Sequence, residues 1–100
     1  MNIYYGQNFR ESSFYPYLLE DGKMPSEDVL AKLGTEYAKV GEVDTTDLER
    51  AYFLCQNGLG HENPLGKQRS MSVGDIAEIN GAYYIVMPAG FQKLNTEDAV

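Results

Sequence analysis

The stretch RSMSVGDIAEINGAYYIVMPAGFQKL, residues 69–94, alternates strand-forming runs with turn residues. Asn80-Gly81 is a strong signal for a two-residue β-hairpin, because a type I′ turn needs positive φ at both central positions. Centring the hairpin there pairs Ile79 with Ala82, Ala77 with Tyr84 and Ile76 with Ile85. One face then presents Ile76, Tyr83, Ile85 and Met87. The other presents Ala77, Ile79, Ala82, Tyr84 and Val86. Both faces are substantially apolar, which predicts a hairpin central in its sheet and covered on both sides. A further short strand, 91–94, is entered through Gly90.

Upstream, NIYYG at 2–6 reads as a β-prone run, and EYAKVGEV at 36–43 alternates as a strand would. PSEDVLAKLG reads as a short helix over 26–33, with Ser26 as cap and Val29, Leu30 and Leu33 as its apolar stripe. TTDLERAYFLCQNG predicts a helix over 46–57. Thr46 and Glu49 have capping-box spacing, Leu48, Ala51, Tyr52 and Cys55 fall on one face, and Asn57-Gly58 is a stop. The expected architecture is one α+β domain over residues 1–94. A small, mostly antiparallel sheet of about five strands (2–5, 37–43, 73–79, 82–87, 91–94) carries two helices packed on one face. Residues 95–100 read as a disordered acidic tail.

At 100 residues there is room for one core. A single cysteine gives no intramolecular disulfide, and no stretch is long and apolar enough to span a membrane, so a cytoplasmic location is expected. Fifteen acidic against eight basic residues give a formal charge of −7. That charge favours solubility, admits a basic protein partner, and opposes binding to nucleic acid or anionic lipid.

Candidate chemistry is sparse. Cys55 and His61 are the only thiol and imidazole. A Cys–His nucleophile pair would need them in contact, yet Cys55 lies on an apolar helical stripe, where a thiol behaves as a small hydrophobe. One Cys and one His do not make a four-ligand zinc site, even with Glu62 nearby. GHENPLGK places five residues between its glycines where a phosphate-binding loop has four, and Gln68 stands where a Ser or Thr would hold magnesium. No cofactor and no catalytic residue is expected. Asp75 reads as a turn cap.

Eight tyrosines and four phenylalanines are the most unusual feature, with Tyr4, Tyr5, Phe9, Phe14, Tyr15 and Tyr17 crowded into the first 17 residues. Recognition surfaces sit on loops held by a rigid scaffold. The expected working surface therefore combines Phe14, Tyr15 and Tyr17 with the 58–72 loop. His61, Glu62, Lys67 and Arg69 would form a polar rim around an aromatic centre. Arg69 has a second reading, as a brace for the first hairpin strand.

The second half resembles the YodL-like domain, a small bacterial domain found in Gram-positive chromosomes, conjugative elements and phages. YAKVGEV at 37–43, LERAYFLCQN at 48–57, RSMSVGDIAEI at 69–79 and AYYIVMPAGFQKL at 82–94 carry the likeness. Arg69, Ser70, Ser72, Val73, Asp75, Tyr83, Tyr84, Gly90 and Phe91 fit its pattern, and MPAGF stands in place of a more polar segment. The resemblance implies mobile-element provenance and brings no catalytic residues. Together these features predict a non-catalytic accessory factor, monomeric or weakly dimeric, that binds a host or element-encoded protein. An inhibitor of host defence, of anti-CRISPR or anti-restriction type, is its most specific form. The alternatives are a small nucleic-acid-associated accessory protein and a small enzyme.

The charge yields a direct test. A labelled oligonucleotide titrated near physiological salt should show no saturable, salt-sensitive binding, because few cations are present to release counterions. Tight binding that weakens steeply with salt would reverse this reading.

Overall fold

The turn at Asn80-Gly81 forms as its sequence requires. In the computed structural model, which describes residues 1–6 and 26–94, the two residues have φ of 50° and 86°. The hairpin register is the expected one, Ile76 opposite Ile85, Ala77 opposite Tyr84 and Ile79 opposite Ala82. In chain order the described elements are β1 (Asn2–Gly6), α1 (Ser26–Ala31), β2 (Tyr37–Glu42), α2 (Leu48–Leu54), β3 (Ile76–Ile79), β4 (Ala82–Met87) and β5 (Gly90–Leu94). The five strands form one antiparallel sheet in the order β2-β1-β3-β4-β5, an α+β arrangement with β3 at its centre. Among the described residues no helix is long and apolar enough to cross a membrane.

Residues opposite one another on antiparallel strands share a face, so the registers sort the core into two layers. On one face Ile3, Tyr5, Ala77 and Val86 pack with Ala51 and Cys55 of the α2 segment, and with Leu65 and Met71 from the following loop. On the other face Tyr4, Ile76, Tyr83, Ile85, Met87 and Leu94 pack with Val29 of α1. The helices therefore cover opposite faces, which corrects the expectation that they share one. The hairpin itself explains why: with apolar residues on both sides, each layer needs its own cover.

Several boundaries also differ from expectation, among them the end of α1, which falls at Ala31 and not at residue 33. Helix α2 is capped by Asp47, whose carboxylate accepts from Arg50 N at 3.2 Å, and not by a Thr46–Glu49 box. A carboxylate is the better acceptor at the positive end of the helix, and Thr45 Oγ in turn accepts from Asp47 N at 3.1 Å. The helix ends at Leu54 with Cys55 as its C-cap, short of the expected stop at Asn57-Gly58. The first hairpin strand starts at Ile76 and not at residue 73, because residues 72–75 form a turn in which Asp75 N donates to Ser72 O at 3.0 Å. The aromatic residues Phe9, Phe14, Tyr15 and Tyr17, and the acidic segment 95–100, lie outside the described residues.

The turn can be tested by a matched pair of substitutions. A Cβ added at Gly81 or at Gly34 meets nothing within 4 Å, but only Gly81 holds a positive φ. Gly81→Ala should cost about 1–2 kcal/mol in urea unfolding through backbone strain alone. Gly34→Ala should be neutral or stabilising by a few tenths of a kcal/mol up to about 1 kcal/mol.

Candidate functional site

The 58–72 loop is held by amides whose spacing gives no periodic signal. Cys55 O, at the end of α2, accepts from Asn63 Nδ2 at 3.0 Å and from Met71 N at 3.1 Å. Asn57 N donates to Ser70 Oγ at 2.7 Å, Asn57 Nδ2 to Gln68 O at 2.8 Å, and Gln56 Nε2 to Met71 O at 2.9 Å. Leu65 and Met71 are buried beneath. Side-chain amides here replace the backbone ladder that an irregular segment lacks.

Beyond this loop stands the most heavily bonded polar group among the described side chains. Asp75, 2% exposed, receives four hydrogen bonds. Arg69 Nη2 and Gly6 N reach Oδ1 at 2.8 and 3.0 Å, while Arg69 Nη1 and Ser72 N reach Oδ2 at 2.7 and 2.8 Å. An ionised carboxylate offers about four acceptor sites, so this one is fully satisfied. The Arg69 guanidinium also lies over the Tyr5 ring, 4.1 Å from its centroid, and Tyr5 OH donates to Arg69 O at 3.0 Å. Tyr37 OH donates to Gly74 O at 2.7 Å. The turn cap expected at Asp75 is thus larger than a local Asx turn. It ties the approach to the hairpin back onto β1 and β2.

The other rim candidates are placed separately. The His61 ring is half-buried against Phe53, with centroids 5.0 Å apart, and its Nε2 lies 3.1 Å from Leu54 O, so its polar contact is with the helix end and not with the Cys55 thiol. Glu62 and Lys67 are exposed. Phe14, Tyr15 and Tyr17 lie outside the described residues. Of the predicted cations, Arg69 does grip a carboxylate, but that of its own chain, and half of its side chain remains exposed. Among the described residues no group of three His, Cys, Asp or Glu side chains is placed to hold a metal ion.

Two surface features escaped the sequence reading. Phe53 and Leu59 are 51% and 52% exposed, flanking the end of α2. The signals were present: Phe53 lies off the helix's apolar stripe, and Leu59 stands alone between two glycines. The second feature is a groove of about 230 Å³ between α2 and the β4–β5 turn, lined by Glu49, Tyr52, Val73, Val86, Met87, Pro88, Gly90 and Phe91. The Tyr52 and Phe91 rings meet edge to face, 6.3 Å apart. Its parts come from three separated segments, so no local pattern announced it.

Three buried acids set the electrostatics of the interior. Burial pushes the Cys55 thiol up to about 11, with the Asp75 charge adding to the effect. Burial likewise raises the phenols of Tyr5 and Tyr37, again reinforced by Asp75. At neutral pH Cys55 is a protonated core residue with little nucleophilic character. No protein-family model matches the chain, and neither a curated protein nor a solved structure matches it.

These contacts generate two predictions. Arg69→Lys keeps the charge but loses the two-pronged geometry, and should lower stability on the order of 1 kcal/mol in urea unfolding. A solvated arginine would tolerate the change. Stability should also fall on the alkaline side. The fold holds the protons of Cys55, Tyr5 and Tyr37 above their ordinary values of 9.0 and 10.0, whereas the unfolded chain releases them there. The Cys55 contribution is complete below pH 9 and is lost as pH rises from 9 through about 11, whereas that of the two tyrosines is complete below pH 10 and is lost progressively above it. Melting curves followed by circular dichroism should show Tm declining from about pH 9. Cys55→Ala, at a cost on the order of 1 kcal/mol near neutrality, should move that onset towards pH 10.

Proposed function

We propose that this protein is a non-catalytic, cytoplasmic protein-binding factor of YodL-like type, carried by a phage or conjugative element. Inhibition of a host defence system is the role that best suits such a chain. The observation that carries the reading is the pair of half-exposed apolar residues, Phe53 and Leu59, at the corner where α2 enters an amide-pinned loop. Keeping a large ring in water has no value to the core, whereas an aromatic on a rigid platform supplies contact area at low entropic cost. His61, stacked on Phe53, and the exposed Glu62 and Lys67 give that apolar centre a polar border. The buried, protonated Cys55 also supports binding over nucleophilic chemistry. The mobile-element origin rests on the resemblance carried by residues 69–79 and 82–94.

The test is affinity capture from the lysate of a Gram-positive host, using the full chain as bait. A stoichiometric protein should be retained, and Phe53→Ala combined with Leu59→Ser should weaken its retention at least about tenfold while Tm stays within a few degrees of wild type. Retention of nucleic acid alone, or unchanged capture by the double variant, would contradict the proposal.

A further inference from the structure

We infer that the groove between α2 and the β4–β5 turn receives a lysine or arginine side chain of the protein partner. The inference rests on the protein-binding reading above and identifies a second contact within it. The groove, about 230 Å³, falls below the roughly 300–1,000 Å³ of small-molecule and cofactor sites, a scale that suits one long side chain. Val73, Val86 and Met87 offer apolar wall to an aliphatic stem. The Tyr52 and Phe91 rings, which meet edge to face, belong to the same lining, and aromatic rings attract a nearby cation. Glu49 is the one charged residue among the described lining, and it is acidic. Stem, rings and carboxylate together match an alkylammonium or guanidinium on an aliphatic chain. A neutral apolar side chain would make no use of the Glu49 carboxylate at the groove. The net charge of −7 adds long-range attraction for a basic partner surface.

The experiment titrates the full-length, ¹⁵N-labelled protein with N-acetyl-lysine methylamide and N-acetyl-arginine methylamide, with N-acetyl-norleucine methylamide as the uncharged isostere. Amide shifts at Tyr52, Val73 and Phe91 should saturate with the cationic probes. Affinity for norleucine should be roughly tenfold weaker, and Glu49→Gln, at an exposed position, should remove most of the difference. Equal binding of all three probes, no shifts at the groove, or insensitivity to Glu49→Gln would overturn the inference. The two readings fail separately. A captured partner held equally by wild type and Glu49→Gln removes the groove and leaves protein binding standing. Cation-selective shifts without any captured partner keep the groove and remove the binding role.

Discussion

The carboxylate of Asp75, buried at 2% exposure, lies where the loop that begins after α2, the start of β3 and the end of β1 meet. Burying a charge costs several kcal/mol unless the site supplies full compensation. Here compensation comes from three places in the chain: a bidentate arginine six residues upstream, the Ser72 amide, and the Gly6 amide at the end of β1. None of these donors is optional, since loss of any one leaves a buried acceptor unsatisfied. The group therefore fixes where the loop ends, where β3 begins and how β1 lies beside it. Tyr5 completes the clamp by receiving the guanidinium on its ring and returning a hydrogen bond to the Arg69 carbonyl.

From that clamp the two-layer core follows. With β1 pinned between β2 and β3, Ile3 and Tyr5 point to the α2 side, while Tyr4 joins Ile76 and Ile85 on the α1 side. A sheet apolar on both faces needs cover on both, and one short helix on each side provides part of it. The 58–72 loop supplies more on the α2 side through Leu65 and Met71, held down by Asn57, Asn63 and Gln56. A polar-looking loop thus does core work, and the face that it presents outward is correspondingly firm.

What was legible in the sequence follows the range of the interactions. The hairpin, its register and both helices rest on contacts between near neighbours, and residues such as Asn80-Gly81 or the stripe through Ala51 and Cys55 declare them. The side of the sheet that each helix covers depends on registers between β1, β2 and β3, and the sequence holds no local mark of these. Asp75 shows the same limit: its turn role was readable, its bond to Gly6 across 69 residues was not. Arg69 was legible as a brace for the first hairpin strand, but only the fold identifies Asp75 as the carboxylate through which it acts. For the candidate surface, Phe53 and Leu59 were detectable as apolar residues out of pattern, whereas the groove brings together Glu49 and Tyr52 of α2, Val73, and residues around the β4–β5 turn, and exists only after folding.

The proposed recognition surface draws on the same economy, since a scaffold clamped at Asp75 can hold a short helix end and its loop rigid enough to present exposed apolar side chains. Arg69 and Asp75 act as one unit that joins loop to sheet. A thermodynamic cycle over Arg69→Leu, Asp75→Leu and the double variant, measured by urea unfolding, tests it most directly. The predicted coupling energy is on the order of 2 kcal/mol, with the double variant far less unstable than the two single losses combined. Single effects that add within about 0.5 kcal/mol would contradict it.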